Sequence, residues 1–414
     1  MQTKFPYRSL DSSTDEVRLL ILHPASEHDP LECSLMEAPL SKLPPYIALS
    51  YAWGEKDTSA SLQLNGVCIA IQKSLCEALQ HLRSMDSLVV LWADALCINQ
   101  DDKIEKSSQI QLMRLIYKTA VQVRVWLGPA ADDSEYAMAY MAWQSSKGEE
   151  RRSIIRKCQR ATTKLLHRSW WERIWVIQEV AVAKQILLQC GRMMIDWIDF
   201  DKNVEALEKF NRDKTVFKTE ERNEFTDRFN AHSELLLCRE HVQDTAYLPL
   251  LTLLLNFREC RSTENKDKVY ALLGLASDCH TLHIIPDYSK SFQDVYTLTA
   301  KQIMRQTKTL KLMIAAGTIY DTSGQPHVCR SKGLPFWVPD WSVCTTGDNV
   351  PKLLDPRLSD KRIMIAESDK VYAAGGSTEI DICFIENDSI LRIGVVMLCP
   401  LASTEMLDRI MTKS

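Results

Sequence analysis

Three residues are spaced as a chemical site would be. Trp171, Trp175 and Glu179 stand at i, i+4 and i+8, which on one helix places them along a single face. Two indoles so arranged could wall a planar ring, and a carboxylate at the end of that wall would be partly desolvated. Desolvation raises a carboxyl pKa, and a nearby cation such as Arg173 opposes the rise. Such a carboxylate could stabilise a sugar oxocarbenium ion, as in cleavage of a glycosyl bond. The same spacing fits a tryptophan-rich core helix with Glu179 turned to solvent or to an arginine. A second set gathers where apolar runs stop. The run 47–50 ends at Tyr51 and Trp53, the run 88–92 ends at Asp94 with Cys97, Asn99 and Gln100 following, and the run 121–127 ends at Gly128. Ligands of open α/β sheets sit outside the carboxyl ends of the strands. Against that, Asp94, Asn99 and Gln100 could merely satisfy loop backbone groups and cap the next helix.

The elements that must position these residues can be read from pattern. Residues 88–92 are apolar on both faces, as in a covered parallel strand. Asp102 and Glu105 have capping-box spacing before a helix with apolar Ile110, Met113, Tyr117 and Ala120. The β-branched run 121–127 follows, so that strand, helix and strand form a βαβ unit with parallel strands. Upstream, 17–22, 32–35 and 46–51 read as strands, and Asn65-Gly66 between 62–64 and 67–69 reads as a hairpin turn. Further capping boxes are Ser74 with Glu77, Asp132 with Glu135 (a helix to 143), and Ser169 with Glu172, which opens one helix through Glu179. Residues 186–189 read as a strand, 201–260 as mostly helical with a charged surface excursion over 211–228, 267–275 as a short helix, and 286–289 as a turn before a helix over 291–306. Residues 335–341 form an aromatic, proline-bracketed loop, Gly375-Gly376 a turn, and 361–400 alternate as strands do. The expected architecture is α/β: a mostly parallel sheet flanked by helices, then a helical region and a small C-terminal β subdomain. The boundaries are an N-terminal segment with strands (1–45), an α/β domain (46–200), a helical region (201–310) and a mixed region with the β subdomain (311–414).

Composition excludes several function classes. The chain has 414 residues, 45% apolar and 25% charged, with net charge -4, which gives no support for a nucleic-acid binder. No apolar run approaches membrane-spanning length. The 13 cysteines lack any C-x-x-C pair and no leader precedes them, so they read as reduced thiols of a cytoplasmic protein. No metal site is expected: Cys279, His280 and His283 sit too close together and lack a fourth ligand. Neither phosphate-cradling glycine fingerprint is present, nor a G-x-S-x-G elbow.

Several blocks carry a resemblance. They are Ala48-Leu49-Ser50-Tyr51-Ala52-Trp53-Gly54, then Leu91-Trp92-Ala93-Asp94-Ala95-Leu96-Cys97-Ile98-Asn99-Gln100, then Glu105-Lys106, Gln109, Met113, Ile116-Tyr117, Ala120, Val123 and Trp126-Leu127-Gly128. Arg173-Ile174-Trp175, Gln178-Glu179-Val180, the DKVYALLGL run and Pro286-Asp287-Tyr288 continue the series. In order and spacing they resemble the fungal heterokaryon incompatibility (HET) domain family over about 46–182. Ala93 stands where that family usually has isoleucine, and Ile47 where an acidic residue is common. The resemblance implies an effector of programmed cell death in non-self recognition, acting through self-association and an incompatibility partner of unknown identity. A remoter similarity to TIR domains implies a flavodoxin-like sheet. It also implies cleavage of NAD at the nicotinamide–ribose bond, with Glu179 in the W-x-x-x-E pattern as the catalytic carboxylate. Trp175 and Trp53 would then stack on the substrate, and Ser50, Tyr51, Asp94, Asn99, Gln100 and Arg173 would line the pocket. NAD would be a substrate, and no cofactor is implied. A non-catalytic interaction scaffold is the remaining alternative.

Overall fold

A computed structural model of the chain describes residues 5–26, 29–54, 57–139, 147–212, 217–244, 248–307, 312, 331–335 and 337–343, with the backbone of 381–385 and 390–394. The chain forms two compact units, Met1–Phe292 and Gln293–Ser414.

The first unit is built on a nine-stranded sheet. Its strands are β1 (Glu16–Leu22), β2 (Glu32–Pro39), β3 (Ile47–Tyr51), β4 (Ala60–Leu64), β5 (Val67–Ile71), β6 (Val89–Trp92), β7 (Gln122–Trp126), β8 (Ile186–Cys190) and β9 (Met193–Asp196), in the order β5-β4-β2-β1-β6-β3-β7-β8-β9. The centre, β6-β3-β7-β8, is parallel throughout. Antiparallel pairs extend it on both sides. The expected βαβ unit exists, but β3 lies between its two strands, parallel to both. Numbered by their own sequence, the four central strands follow the order 2-1-3-4, the doubly wound flavodoxin-like order. In such a sheet the crevice for ligands opens beside the first strand, at its carboxyl end, and here that strand is β3.

Helices flank both faces. They are α1 (Lys73–Leu82), α2 (Asp94–Cys97), α3 (Lys103–Thr119), α4 (Ser134–Met138), α5 (Gly148–Leu166), α6 (Trp175–Ala181), α7 (Trp197–Asn211), α8 (Thr219–Gln243), α9 (Leu250–Asn256), α10 (Asp267–Leu273) and α11 (Cys279–Leu282). Register places Ala48 and Ser50 on the face that carries Val123 and Val125. Trp92 pairs with Ala48, and its ring meets Tyr117 of α3 edge-on at 5.5 Å, so α3 covers that face. Trp126, in register with Tyr51, meets His81 of α1 at 4.6 Å on the other face. The Asn65-Gly66 turn has both residues at positive φ (48° and 78°), as a two-residue hairpin of this sheet twist requires.

Local readings fail where tertiary contacts claim the capping residue. Asp102 caps α3 with hydrogen bonds from the Ile104 and Glu105 amides, but the Glu105 carboxylate is taken by buried Arg18 (2.6 and 2.9 Å). Ser74 lies inside α1, its hydroxyl donating to the Trp53 carbonyl at 2.9 Å. The helix expected from Ser169 divides: a 3-10 turn covers Ser169–Glu172, Arg173 is extended, and α6 begins at Trp175. The charged stretch read as a surface excursion includes the start of α8, which buries Phe225. The expected helix after Asp132 ends at Met138, and residues 140–146 lie outside those described.

In the second unit α12 (Phe292–Thr307) buries Val295, Tyr296, Ala300, Ile303 and Met304, with Trp341 edge-on to Tyr296 at 5.0 Å. β10 (Asp381–Ile385) and β11 (Ile390–Gly394) pair antiparallel within the expected β region. The rest of that region, including Gly375-Gly376, lies outside the described residues.

Candidate functional site

Polar side chains converge at the carboxyl ends of β3 and β6. β3 is buried along its length, so Ser50 near its end arrives as a hydroxyl in an apolar setting and must find partners. It accepts the Trp170 indole N–H (2.7 Å) and donates to Oε2 of Glu179. Glu179, on α6, is 1% exposed. Arg173, in the extended link before α6, places Nη1 4.0 Å from Oε1 of Glu179 and donates to the Tyr51 carbonyl. Its side chain is 19% exposed, but desolvation is the first cause acting on its guanidinium, so the charged end lies among the buried groups. Asp94 opens α2 after β6. It accepts the Trp53 indole N–H at 2.9 Å and the Ala95 amide at 2.8 Å, and its charge acts on Arg173. Tyr117 of α3 donates to the Leu49 carbonyl (3.1 Å) and lies against Glu179.

The electrostatics follow from one guanidinium between two carboxylates in a poorly solvated place. Burial pushes the Glu179 carboxyl above its usual range, against the pull of Arg173 and the Ser50 hydroxyl. Burial also raises Asp94, opposed by Arg173 and the Trp53 indole. Arg173 loses solvation, but Glu179 and Asp94 more than offset this and hold it charged. Burial and the neighbouring Asp94 raise Tyr51; burial and Glu179 raise Tyr117, so both are neutral phenols. The result is a dry carboxylate with a fixed hydroxyl donor on one oxygen and a cation near the other. That arrangement can stabilise positive charge developing on a bound molecule, or pass a proton.

The structure thus brings together Ser50, Tyr51, Trp53, Asp94, Arg173 and Glu179. It does not bring Asn99, Gln100 or Trp175 into the cluster. The Gln100 amide donates to the Asp94 carbonyl (2.9 Å), and the Asn99 side chain accepts the Asp101 amide (3.3 Å), so both brace the loop. Trp175 lies instead beside Asp267 on α10, whose carboxyl pKa it pulls down against the rise caused by burial. The break at Arg173 also removes Trp171 from the line of Trp175 and Glu179. Its ring packs instead with Trp170, Trp197, Phe200 and His232. Trp170 and Tyr117 are the members that sequence reasoning missed, because an indole and a phenol at apolar positions read as core. The Trp170-Trp171 doublet was the available signal. Among the described residues no group of three or more His, Cys, Asp and Glu side chains is gathered as metal ligands. His283, grouped above with Cys279 and His280, stands in the left-handed region just after α11.

Comparison with known proteins gives the family that the chain resembles. Residues 46–179 match the family described as heterokaryon incompatibility protein (HET), a match that runs from the residue before β3 to Glu179 itself. The chain is 31% identical over 411 residues to heterokaryon incompatibility protein 6, OR allele, of Neurospora crassa, an alignment covering 82% of this chain and 60% of that protein. The chain therefore spans less than two thirds of that relative's length. No solved structure matches the chain.

Proposed function

Because the chain belongs to the heterokaryon incompatibility family, with its HET domain over residues 46–179, we propose that it acts in fungal non-self recognition as an effector that triggers programmed cell death. The observation that carries this is the similarity along most of the chain to a heterokaryon incompatibility protein. The effector acts in the cytoplasm, by self-association and contact with an incompatibility partner. Among the described residues no helix is long and apolar enough to cross a membrane. Inducible expression of the full chain in a fungal host tests this. Loss of viability is expected, and normal growth at confirmed protein levels would refute it.

A second reading concerns how killing is done, and the Ser50–Glu179 pair favours it. The chain is an NAD glycohydrolase. The Glu179 carboxylate stabilises the ribosyl cation as the bond from C1′ to the nicotinamide nitrogen breaks. Nicotinamide leaves neutral with the bonding electrons, and water adds to C1′ with release of a proton. Ser50 holds the carboxylate, Arg173 stands beside it, and Trp53 stacks on the substrate. Purified protein at high concentration should release nicotinamide from NAD, and Glu179→Gln should lower the rate by about 10²–10³. A Glu179→Gln variant that kills as well as wild type, with no nicotinamide released by either, would leave the scaffold reading in its place.

A further inference from the structure

The family match stops at Glu179, yet the helix that carries it does not hold itself in place. α6 is seven residues long, and neither end is capped by its own side chains. A helix of two turns is unstable alone and takes its position from what it packs against. Every attachment considered next comes from residues 239–288, beyond the match.

At the carboxyl end, the Arg239 guanidinium on α8 donates to the carbonyls of Val180 (2.5 Å) and Ala183 (2.8 Å). One turn later Gln243 donates to the carbonyl of Ala183 at 3.1 Å. The Val180 carbonyl is in the last turn of α6 and also takes the Ala183 amide, Ala183 lies just past the C-cap, and a cation there suits the helix dipole. At the amino end, α10 packs against α6, with Trp175 beside Asp267, which is 7% exposed and takes the Tyr288 hydroxyl at 2.5 Å. Just before α6 the chain is stitched by backbone to the same region. The Ile174 amide donates to the Arg261 carbonyl (2.9 Å) and the Arg261 amide to the Glu172 carbonyl (2.5 Å). That short bridge pairs Arg173 with Arg261 where Arg173 is extended, and from there its guanidinium lies 4.0 Å from Glu179. In the middle, Gly274 approaches Gln178 so closely that a Cβ would lie 2.5 Å from the end of its side-chain amide.

We propose that Arg239 and Asp267 are positioning residues for the Glu179–Arg173 pair. Residues 239–243 and 261–288 are then part of the site, and the working unit is the compact body ending at Phe292, not the matched stretch 46–179. Neither residue touches substrate; each acts through the placement of α6. The catalytic half of the proposal rests on the NAD glycohydrolase reading above, whereas the placement of α6 does not.

The test uses the full chain with Arg239→Gln, Arg239→Lys and Asp267→Asn, each checked for wild-type melting behaviour. Hydrogen exchange is read first, because it needs no activity. Arg239→Gln should raise the exchange of the α6 amides about tenfold while β3 and β7 keep their protection, and Arg239→Lys should restore most of it. No rise in α6, or an equal rise across the strands, overturns the proposal. Nicotinamide release is read second. Arg239→Gln and Asp267→Asn should lower kcat about tenfold with KM within twofold, and Arg239→Lys should recover kcat. If wild type releases nicotinamide and the variants loosen α6 without changing kcat, the positioning role is refuted. If wild type releases none, the enzymatic reading fails alone, and the exchange result still decides whether 239–288 holds α6.

Discussion

At the scale of the residue, Ser50 carries more than its size suggests. Its hydroxyl gives its one proton to Glu179 and receives the Trp170 N–H, so one oxygen satisfies two buried groups. Ser50→Ala leaves both short of a partner. It should cost about 1–3 kcal/mol in urea unfolding. The loss should depend on pH. The Ser50 bond pulls the Glu179 pKa down, so it favours the ionised carboxylate. Removing it therefore costs most above the folded pKa of Glu179 and less below it. With the folded pKa located by titration, equal losses above and below it would mean that the bond does not serve the anion. Ser50, Tyr51, Asp94 and Glu179 were legible because polar groups at the ends of apolar runs are conspicuous. Trp175 has the spacing from Glu179 of a shared helix face, while the structure sets it beside Asp267, a carboxylate 92 residues later that no local pattern announces.

At the scale of the element, what sequence pattern gets wrong is mostly the use made of polar side chains. Strand positions were legible because apolar runs of four or five residues have few alternatives, and Asp102 caps α3 as its spacing indicates. The same spacing suggested that Glu105 turns back on the cap. Instead it forms a two-toothed ion pair with Arg18, which is 0% exposed and also donates to the carbonyls of Cys97 (3.1 Å) and Arg8 (2.5 Å). Glu105 additionally takes the Asn99 amide at 2.7 Å. One carboxylate thus fastens β1 to the loop behind Asp94. Glu105→Gln leaves the buried guanidinium only the more distant Glu37 carboxylate, at 4.0 Å, and should destabilise the chain by about 3–5 kcal/mol in urea unfolding. Replacing both partners, Arg18→Met with Glu105→Leu, should recover most of that loss, because the desolvation of both charges disappears with them. A double variant no more stable than Glu105→Gln would show that the bonds to Cys97 and Arg8 outweigh the pair.

At the scale of the molecule, the order of the central strands decides where chemistry can happen. The parallel order 2-1-3-4 puts the crevice beside β3, and the carboxylates of β6's successor α2 and of α6 converge there from distant parts of the chain. That convergence was legible only as a consequence of a parallel sheet. The insertion of β3 between β6 and β7, which creates it, leaves no local trace in sequence, because adjacency across a sheet is set by long-range packing. Convergence has a thermodynamic cost. Asp94, Glu179 and Asp267 are all raised above their ordinary values of 3.8, 4.5 and 3.8, in each case mainly by burial. A carboxyl raised on folding contributes stability that is full below its unfolded pKa and is lost as pH rises through its folded pKa. The exposed carboxyls with lowered pKa, such as Asp11 and Asp57, work the other way, but solvent screens them and their weight is small. The melting temperature should therefore hold or rise as pH falls from 8 toward the raised range, where ordinary acid destabilisation would lower it. Glu179→Gln removes one of the three contributions and keeps an acceptor for Ser50. It should melt above wild type at pH 8, by about 2–4 °C for each kcal/mol relieved, with the gap closing as wild-type Glu179 takes up its proton. A gap that stays constant across that range, or a variant less stable at pH 8, would show that Arg173 fully compensates the buried charge.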